Sequence, residues 1–558
     1  MTHAATSDTP AINLSNRQKL EILGAILLAL FLFALDQTVV GTALPIIVTD
    51  LHGNELYTWA VTVYLLTATI SGPIYGKLSD LYGRRPIFIW ALSLFIVASF
   101  LCGLSQEMWQ FILFRGLQGL GGGAVFPVAL AVVADLWSPS ERGKYLGLFG
   151  AVFGLSSLLG PGIGGFITDT WGWHWIFFVN IPLALVSLVV CWRLLPPVKR
   201  PEGGQNIDYV GAAIFTAAIA PFLIGLTNKQ TGEWTDPAVG GLILLGLALG
   251  VLFLFVESRA ADPIVPLGLF RDRSFTISVA AMFLVSFGFF AGIIFLPRYF
   301  IVVEGASATE SGYSLLPMLL ALIVSATLSG QIVARTHHYK LLIFVSMLLL
   351  ALGCFFMTNL TADTDRLTLW LWMVVAGLGI GPSFAVFTLI VQNAVLPRLI
   401  GVATSSLTFF QQIGGTVGLT IAGTLFADRF IAEVPKQMAA NGADPLIVQA
   451  FGSSGGAAGN ALGQLTGAGD LGQAILAGTP EPFRPLVQAN LDAIVNGIHD
   501  AFAIATASVF WVGIVAAAAA AVFVLFLREL PMREGSEIET DSEDGAAAST
   551  GVAAAPGG

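Results

Sequence analysis

Two charged side chains stand where charge is expensive. Asp36 lies in LFLFALDQTVVGTALP and Arg115 in FILFRGLQGLGGG, each inside a long apolar run. An ionised carboxylate in hydrocarbon is disfavoured, so such a residue faces a protein interior or a watered cavity and becomes a place to bind and release a proton. Arginine keeps its charge and must be paired or wet. Thr38, Thr42 and Gln118 are near them in sequence and are polar enough to line a cavity with them. Arg298, Gln411 and Gln412 are polar residues within apolar runs of the second half and are grouped as cavity residues too. The chemistry on offer is proton binding. No catalytic residue is expected, since no nucleophile–base set, metal-ligand spacing or phosphate loop occurs. LQGLGGG follows no strand, so it is not a dinucleotide fingerprint. The three cysteines (Cys102, Cys191, Cys354) lie in apolar stretches and read as small core residues.

Two further constellations are spaced for packing and pairing. In GKLSDLYGRRP, Gly76 and Gly83 permit a tight turn and a close helix approach. Asp80 and Arg84 are four residues apart and can pair on one helix face, with Lys77 and Arg85 beside them. Asp135 ends the fourth apolar run on the same side of the membrane. Topology needs only cations, so these acids imply a further role. The second constellation is GLSSLLGPGIGG, where Gly154, Gly160, Pro161, Gly162, Gly164 and Gly165 make a smooth face bent at a proline.

The elements that carry these residues follow from composition. The chain has 558 residues, 56% hydrophobic and 11% charged, with mean hydropathy +0.82. Soluble domains carry roughly 25% charge, so this is a polytopic membrane protein. Fourteen stretches are long enough to span: 20–46, 57–78, 87–105, 108–135, 143–168, 174–195, 208–228, 238–258, 274–301, 310–334, 340–359, 367–394, 400–428 and 503–527. With this count only five of the 25 Lys and Arg residues (Lys229, Arg366, Arg429, Lys436 and Arg484) fall on one side. Arg115 and Arg298 fall within spans, and the rest share the other side. Cations mark the cytoplasmic side, so both termini are placed there. The expected organisation is a leader (1–19), a six-helix bundle (20–195), a linker region with two added spans (196–273), a second six-helix bundle (274–527) and a disordered acidic tail (528–558). The second bundle includes a long extracytoplasmic loop, 429–500. The loop ARTHHYK in the second half holds the place of GKLSDLYGRRP in the first, a weak parallel repeat. The net charge of −10 resides largely in the tail, and no basic excess points to nucleic acid.

GKLSDLYGRRP resembles the loop signature of the major facilitator superfamily, between its second and third helices. LDQTVVGTALP resembles the first-helix motif of that family's 14-helix drug/proton antiporters. RGLQGLGGG resembles its fourth-helix proton-linked motif, and GLSSLLGPGIGG its fifth-helix antiporter motif. The resemblance spans the chain apart from its tails and the long outer loop. It implies an all-α membrane protein with the major facilitator fold, two six-helix bundles plus two extra helices. It also implies that Arg115 lies near the first helix and biases protonation of Asp36. Arg84 would pair with Asp135 and latch an inner gate, and the fifth-helix glycines would form a seam between the two halves. The sequence departs from the family pattern at Gly41, His174, Gln411 and Arg298.

The function these residues imply is a proton-coupled antiporter. It would export hydrophobic or amphipathic compounds across the cytoplasmic membrane by alternating access, as in multidrug efflux and antibiotic resistance. It would be powered by the proton gradient, with no cofactor and no metal. Its partners would be the substrate, protons and the bilayer, with a partner for loop 429–500 on the outer side, and the expected state is a monomer. A lipid or glycolipid exporter is the alternative, on the strength of the outer loop and the 40 phenylalanines. A non-transporting receptor or scaffold is the lesser one.

Overall fold

The computed structural model describes residues 14–52, 56–196, 208–229, 232–452, 471–479 and 481–529. The leader before residue 14, most of the first linker, part of the outer loop and nearly all of the acidic tail lie outside the described residues.

The apolar runs form helices because lipid leaves backbone groups no partner but one another. The first half holds α1 (Asn16–Asp50), α2 (Tyr57–Tyr82), α3 (Arg84–Gly103), α4 (Met108–Leu136) and α5 (Pro139–Trp171), then a sixth crossing broken into α6 (Trp175–Phe178) and α7 (Asn180–Leu194). The added pair is α8 (Tyr209–Asn228) and α9 (Leu242–Glu257), the latter preceded by a π-turn at Pro237–Gly241. The second half holds α10 (Arg273–Val302), α11 (Ala308–Ser314), α12 (Leu316–Thr336), α13 (Lys340–Met357), α14 (Arg366–Ala394) and α15 (Ile400–Ala440). After the short helices α16 (Pro445–Gly452), α17 (Leu471–Gly478) and α18 (Arg484–Ala489), the chain closes on α19 (Leu491–Leu525). Each of the fourteen expected spans falls on one helix or one broken helix, and the described residues form no strand.

Among the described residues, eleven helices are long and apolar enough to cross a membrane. Helices α2, α5 and α15 carry the main contacts between the halves: α2 packs on α15, and α5 on α12 and α14. Their glycines and hydroxyls let backbones approach, as small residues do between membrane helices. At Gly143 of α5 a Cβ would sit 2.5 Å from the Gly330 carbonyl oxygen of α12, and at Gly76 of α2 it would sit 2.6 Å from Ser405 Cβ of α15. Four glycines at helical spacing, Gly143, Gly147, Gly150 and Gly154, face Gly330, Thr327, Leu322 and Ile323 along α12.

The added pair lies against both halves. A cluster of Leu66 and Ile70 from α2, Phe215, Leu223 and Leu226 from α8, Phe253 from α9 and Phe409 from α15 joins them, with the Phe215 and Phe409 rings 5.1 Å apart.

The connection between α15 and α19 is shorter than 429–500. Helix α15 continues to Ala440, because Glu433 lies one turn from Arg429 (3.4 Å) and beside Lys436 (3.1 Å), so the charges that seemed to end the span stabilise the helix beyond it. Helix α19 starts at Leu491 and packs on this extension: a Cβ at Gly497 would meet Met438 Cα at 2.7 Å, and Asn441 donates to Asp500 at 2.9 Å.

Gly143→Val is expected to cost about 2 kcal/mol of stability by overpacking the α5–α12 crossing. Gly165→Val, where nothing lies within 4 Å of the Cβ position, should cost little. Thermal unfolding in detergent followed by tryptophan fluorescence compares them; equal midpoints would remove the crossing from the account.

Candidate functional site

The chain turns from α2 into α3 at Gly83, with φ +92°, a backbone conformation that side-chain-bearing residues rarely adopt. The turn sets Arg84 at the start of α3 facing back onto α2. Its guanidinium pairs with Asp80 at 2.6 Å and, through Nε, with Asp135 of α4 at 3.0 Å. NH1 also donates to Ser79 Oγ at 2.6 Å. Arg85 is half-buried on α3. All of these residues belong to the first half, so the Arg84–Asp135 pair does not by itself join the two halves.

The cross-half bond comes from Asp80. Its two carboxylate oxygens accept hydrogen bonds from the backbone amides of Gly401 (3.1 Å) and Val402 (2.8 Å), in the first turn of α15. A helix leaves its first amides without partners and carries partial positive charge there. Leu399, the residue before α15, offers no side-chain cap, and Asp80 supplies one from the other half. Arg84 therefore holds Asp80 in place between α15 and Asp135. Nearby, Gln392 of α14 donates to the Leu130 carbonyl of α4 at 3.3 Å, and Arg142 caps the end of α4 by donating to the Ala134 and Trp137 carbonyls at 2.6 and 2.9 Å. At this end of the bundle, which carries most of the cations, the two halves are bonded to each other.

Deep in the first half, Asp36 and Arg115 meet at 2.5 Å, both 2% exposed. Asp36 Oδ1 also accepts from Gln118 Nε2 at 2.9 Å and from Asn180 Nδ2 of α7 at 3.2 Å. Arg115 NH1 further donates to Gln118 Oε1 at 2.7 Å, and its guanidinium carbon lies 4.0 Å from the centre of the Tyr64 ring of α2. Asp36 thus accepts three hydrogen bonds, two on Oδ1 and one on Oδ2. Arg115 Nε and Tyr64 Oη are buried and without hydrogen bonds.

The cavity residues proposed from sequence do not converge. Gln118 belongs to the Asp36 cluster and is fully buried. Thr38 donates to the Leu35 and Ser156 carbonyls (2.9 and 3.2 Å) and Thr42 to the Val39 carbonyl (2.8 Å), filling the α1–α5 interface. Gln412 accepts from Thr69 of α2 at 2.6 Å across the halves, Gln411 is nearly buried, and Arg298 is exposed near the end of α10. The antiporter-motif glycines divide likewise. Gly160 and Gly164 face Thr38, Thr42 and Val39 of α1, within the same half. Gly154 faces Leu319 and Ile323 of α12, a Cβ on Gly162 would lie 3.5 Å from Tyr313 Oη, and Gly165 faces open space. Pro161 falls within continuous α5. The spacing explains the division: residues 160 and 164 share one face, and 143, 147, 150 and 154 another. Sequence reading missed Asn180, Tyr64, the Gly401 and Val402 amides and the Gly143 face. Only the last had a readable signal, its periodicity.

Two helical halves joined by capped, glycine-lined contacts, with buried ion pairs at Asp80–Arg84 and Asp36–Arg115, make the architecture of a polytopic membrane protein. A sequence model of the Major Facilitator Superfamily matches residues 26–419, and the chain belongs to that family; it is a transporter, not an enzyme. It is 36% identical to the multidrug transporter protein MdtP of Bacillus subtilis over 92% of this chain and 93% of the relative. It is 33% identical to multidrug resistance protein 3 of the same organism (93% and 97% covered). It is also 32% identical to the tetracenomycin C resistance and export protein of Streptomyces glaucescens (76% and 79%). Among solved structures, the proton:xylose symporter XylE aligns with TM-score 0.57 at 16% identity (94% of this chain, 99% of XylE), which shows a shared fold.

Asp80→Asn is expected to weaken the α15 cap by about 2 kcal/mol, roughly thirtyfold in the closed-to-open ratio at the basic end. Spin labels at the exposed Tyr82 and Leu396 would report it as a longer-distance population; an unchanged distribution counts against the cap. For the buried pair, Asp36→Asn and Arg115→Met are each expected to destabilise more than the double variant. A double-mutant cycle on thermal or denaturant unfolding should give a coupling of about 3 kcal/mol. Additive effects would show that the pair is energetically idle.

Proposed function

We propose that this chain is a proton-coupled efflux antiporter that exports hydrophobic or amphipathic compounds across the cytoplasmic membrane. The observation that carries the reading is the Asp36–Arg115 pair, a buried carboxylate that gathers α4 and α7 onto α1 through Arg115, Gln118 and Asn180. The printed names of the relatives, two multidrug proteins and one antibiotic resistance and export protein, support efflux as the direction.

In this mechanism a proton arriving at Asp36 displaces the Arg115 bond and loosens α1 from α4. Helix α1 is keyed into α5 by the Thr38 hydroxyl on the Ser156 carbonyl, and α5 crosses α12 of the other half at Gly143 and Gly330. Protonation is thereby passed to the contact between the halves, and the Asp80 cap on α15 is what must break for the basic end to open. Substrate and proton favour opposite openings. The inward proton supplies about 2.3 kcal/mol per charge per 100 mV of membrane potential. With the basic end facing the cytoplasm, the closed end is the inner one.

Purified protein in vesicles with an imposed pH gradient tests the reading, using a fluorescent amphipathic cation as cargo. Wild type should accumulate or extrude the cargo in proportion to the gradient, and Asp36→Asn should reduce gradient-driven transport at least tenfold while retaining cargo binding. Full gradient-driven transport by Asp36→Asn would sink proton carriage by this residue.

A further inference from the structure

The added helices carry an acidic pair that the mechanism above does not use. Asp208 caps α8, its Oδ1 accepting from the Gly211 amide at 2.7 Å. Glu257 ends α9 and is 2% exposed; its Oε1 accepts from the Val265 amide at 2.6 Å, with the Ile264 amide alongside. The second oxygens of both, Asp208 Oδ2 and Glu257 Oε2, are buried and accept no hydrogen bond among the described residues. Both converge on one point, the place a Cβ would occupy on Gly211: Glu257 Oε2 is 2.8 Å from it and Asp208 Oδ2 nearer still.

Two carboxylate oxygens that converge on one point without a donor repel when both groups are ionised, and one bound proton removes the repulsion. A metal cation needs more oxygens than these two; calcium takes roughly six to eight. The nearby cation is Lys77 of α2, which is 8% exposed and acts electrostatically on Glu257. Arg259 is turned aside, its guanidinium 4.0 Å from the centre of the Phe255 ring, and Asp262 lies in the same turn. The first turns of α15, which packs on α8, bring no charge, while Lys199, Arg200 and Glu202 precede Asp208 outside the described residues.

We propose that Asp208 and Glu257 form a second proton-binding site, a carboxylate pair that shares one proton at the basic end of the added helices and whose occupancy Lys77 controls. Lys77 follows Gly76, the residue that seats α2 on α15. Opening the basic end moves α2, and with it the cation that favours the unprotonated pair, so proton uptake here follows the state of the inner gate. The site stands without proton-driven transport; only its consequence for transport rests on that reading.

Infrared pH-difference spectra of the full-length protein in nanodiscs test it, in an Asp36→Asn background that removes the acid buried deepest in the first half. A protonated-carboxyl band should persist at a pH where ordinary carboxyl groups are ionised. Glu257→Gln and Asp208→Asn should each abolish it. Gly211→Ala, whose methyl would land between the two oxygens, should abolish it with both acids present, and so serves if either acid variant fails to fold. Lys77→Met should let the band persist to more alkaline pH by about one unit. A band unchanged in all three pair variants, or indifferent to Lys77→Met, overturns the proposal. Loss of the band on adding sodium at fixed pH overturns it in favour of a cation site. Because the readout is spectroscopic, a normal band in protein that fails to transport separates this site from the antiport reading.

Discussion

Helix α15 begins without a cap of its own, and the two halves of the molecule are held together at one end by the acid that supplies it. A single carboxylate, Asp80, meets the unpaired amides of Gly401 and Val402. It can do so only because Arg84 and the turn at Gly83 hold it there. The need is general: first-turn amides away from water must find acceptors. Placing the acceptor on one half and the donors on the other turns a local rule about helix ends into a constraint on the whole assembly. The glycines at positions 76, 143 and 330 serve the same constraint, since the backbones must come close for so short a side chain to reach.

The buried pair obeys a second rule, that charge away from water must be paired. Asp36 and Arg115 are both in the first half, and no bond from either reaches the second among those described. Their influence on the other half must pass through α1 and α5. The motif glycines Gly160 and Gly164 bind the first half to itself, and the crossing to α12 uses the other face of the same helix. Helix α5 thus has one face for each partner, which is why a single run of small residues looked like one seam.

What the sequence disclosed follows from what leaves a mark in it. Apolar length and the alternation of cations disclosed all fourteen crossings, each of which falls on one helix or one broken helix. Intramembrane charge picked out Asp36 and Arg115, because such residues are costly enough to be rare. Long-range partners left no mark. The donors to Asp80 are backbone amides, which no residue type announces. Asn180 sits at a helix start in FFVNIP and reads as a loop residue until α7 is folded against α1. The residues grouped as a cavity lie apart for a related reason. Polarity in a span signals a need for a partner, and Thr38, Thr42, Gln118 and Gln412 had found theirs in neighbouring helices.

The length of α15 joins two parts of the molecule that a topology diagram keeps separate. Its 41 residues make a rod of about 60 Å, gripped by Asp80 at its first turn and braced by α19 at its last. A rod pinned at its foot is a lever. A tilt of a few degrees at the cap would become several ångströms of sway at Asn441, where the helix ends. The connection beyond it is thus mounted on a mechanical indicator of the contact between the halves, and anything that gripped it would feel that contact shift.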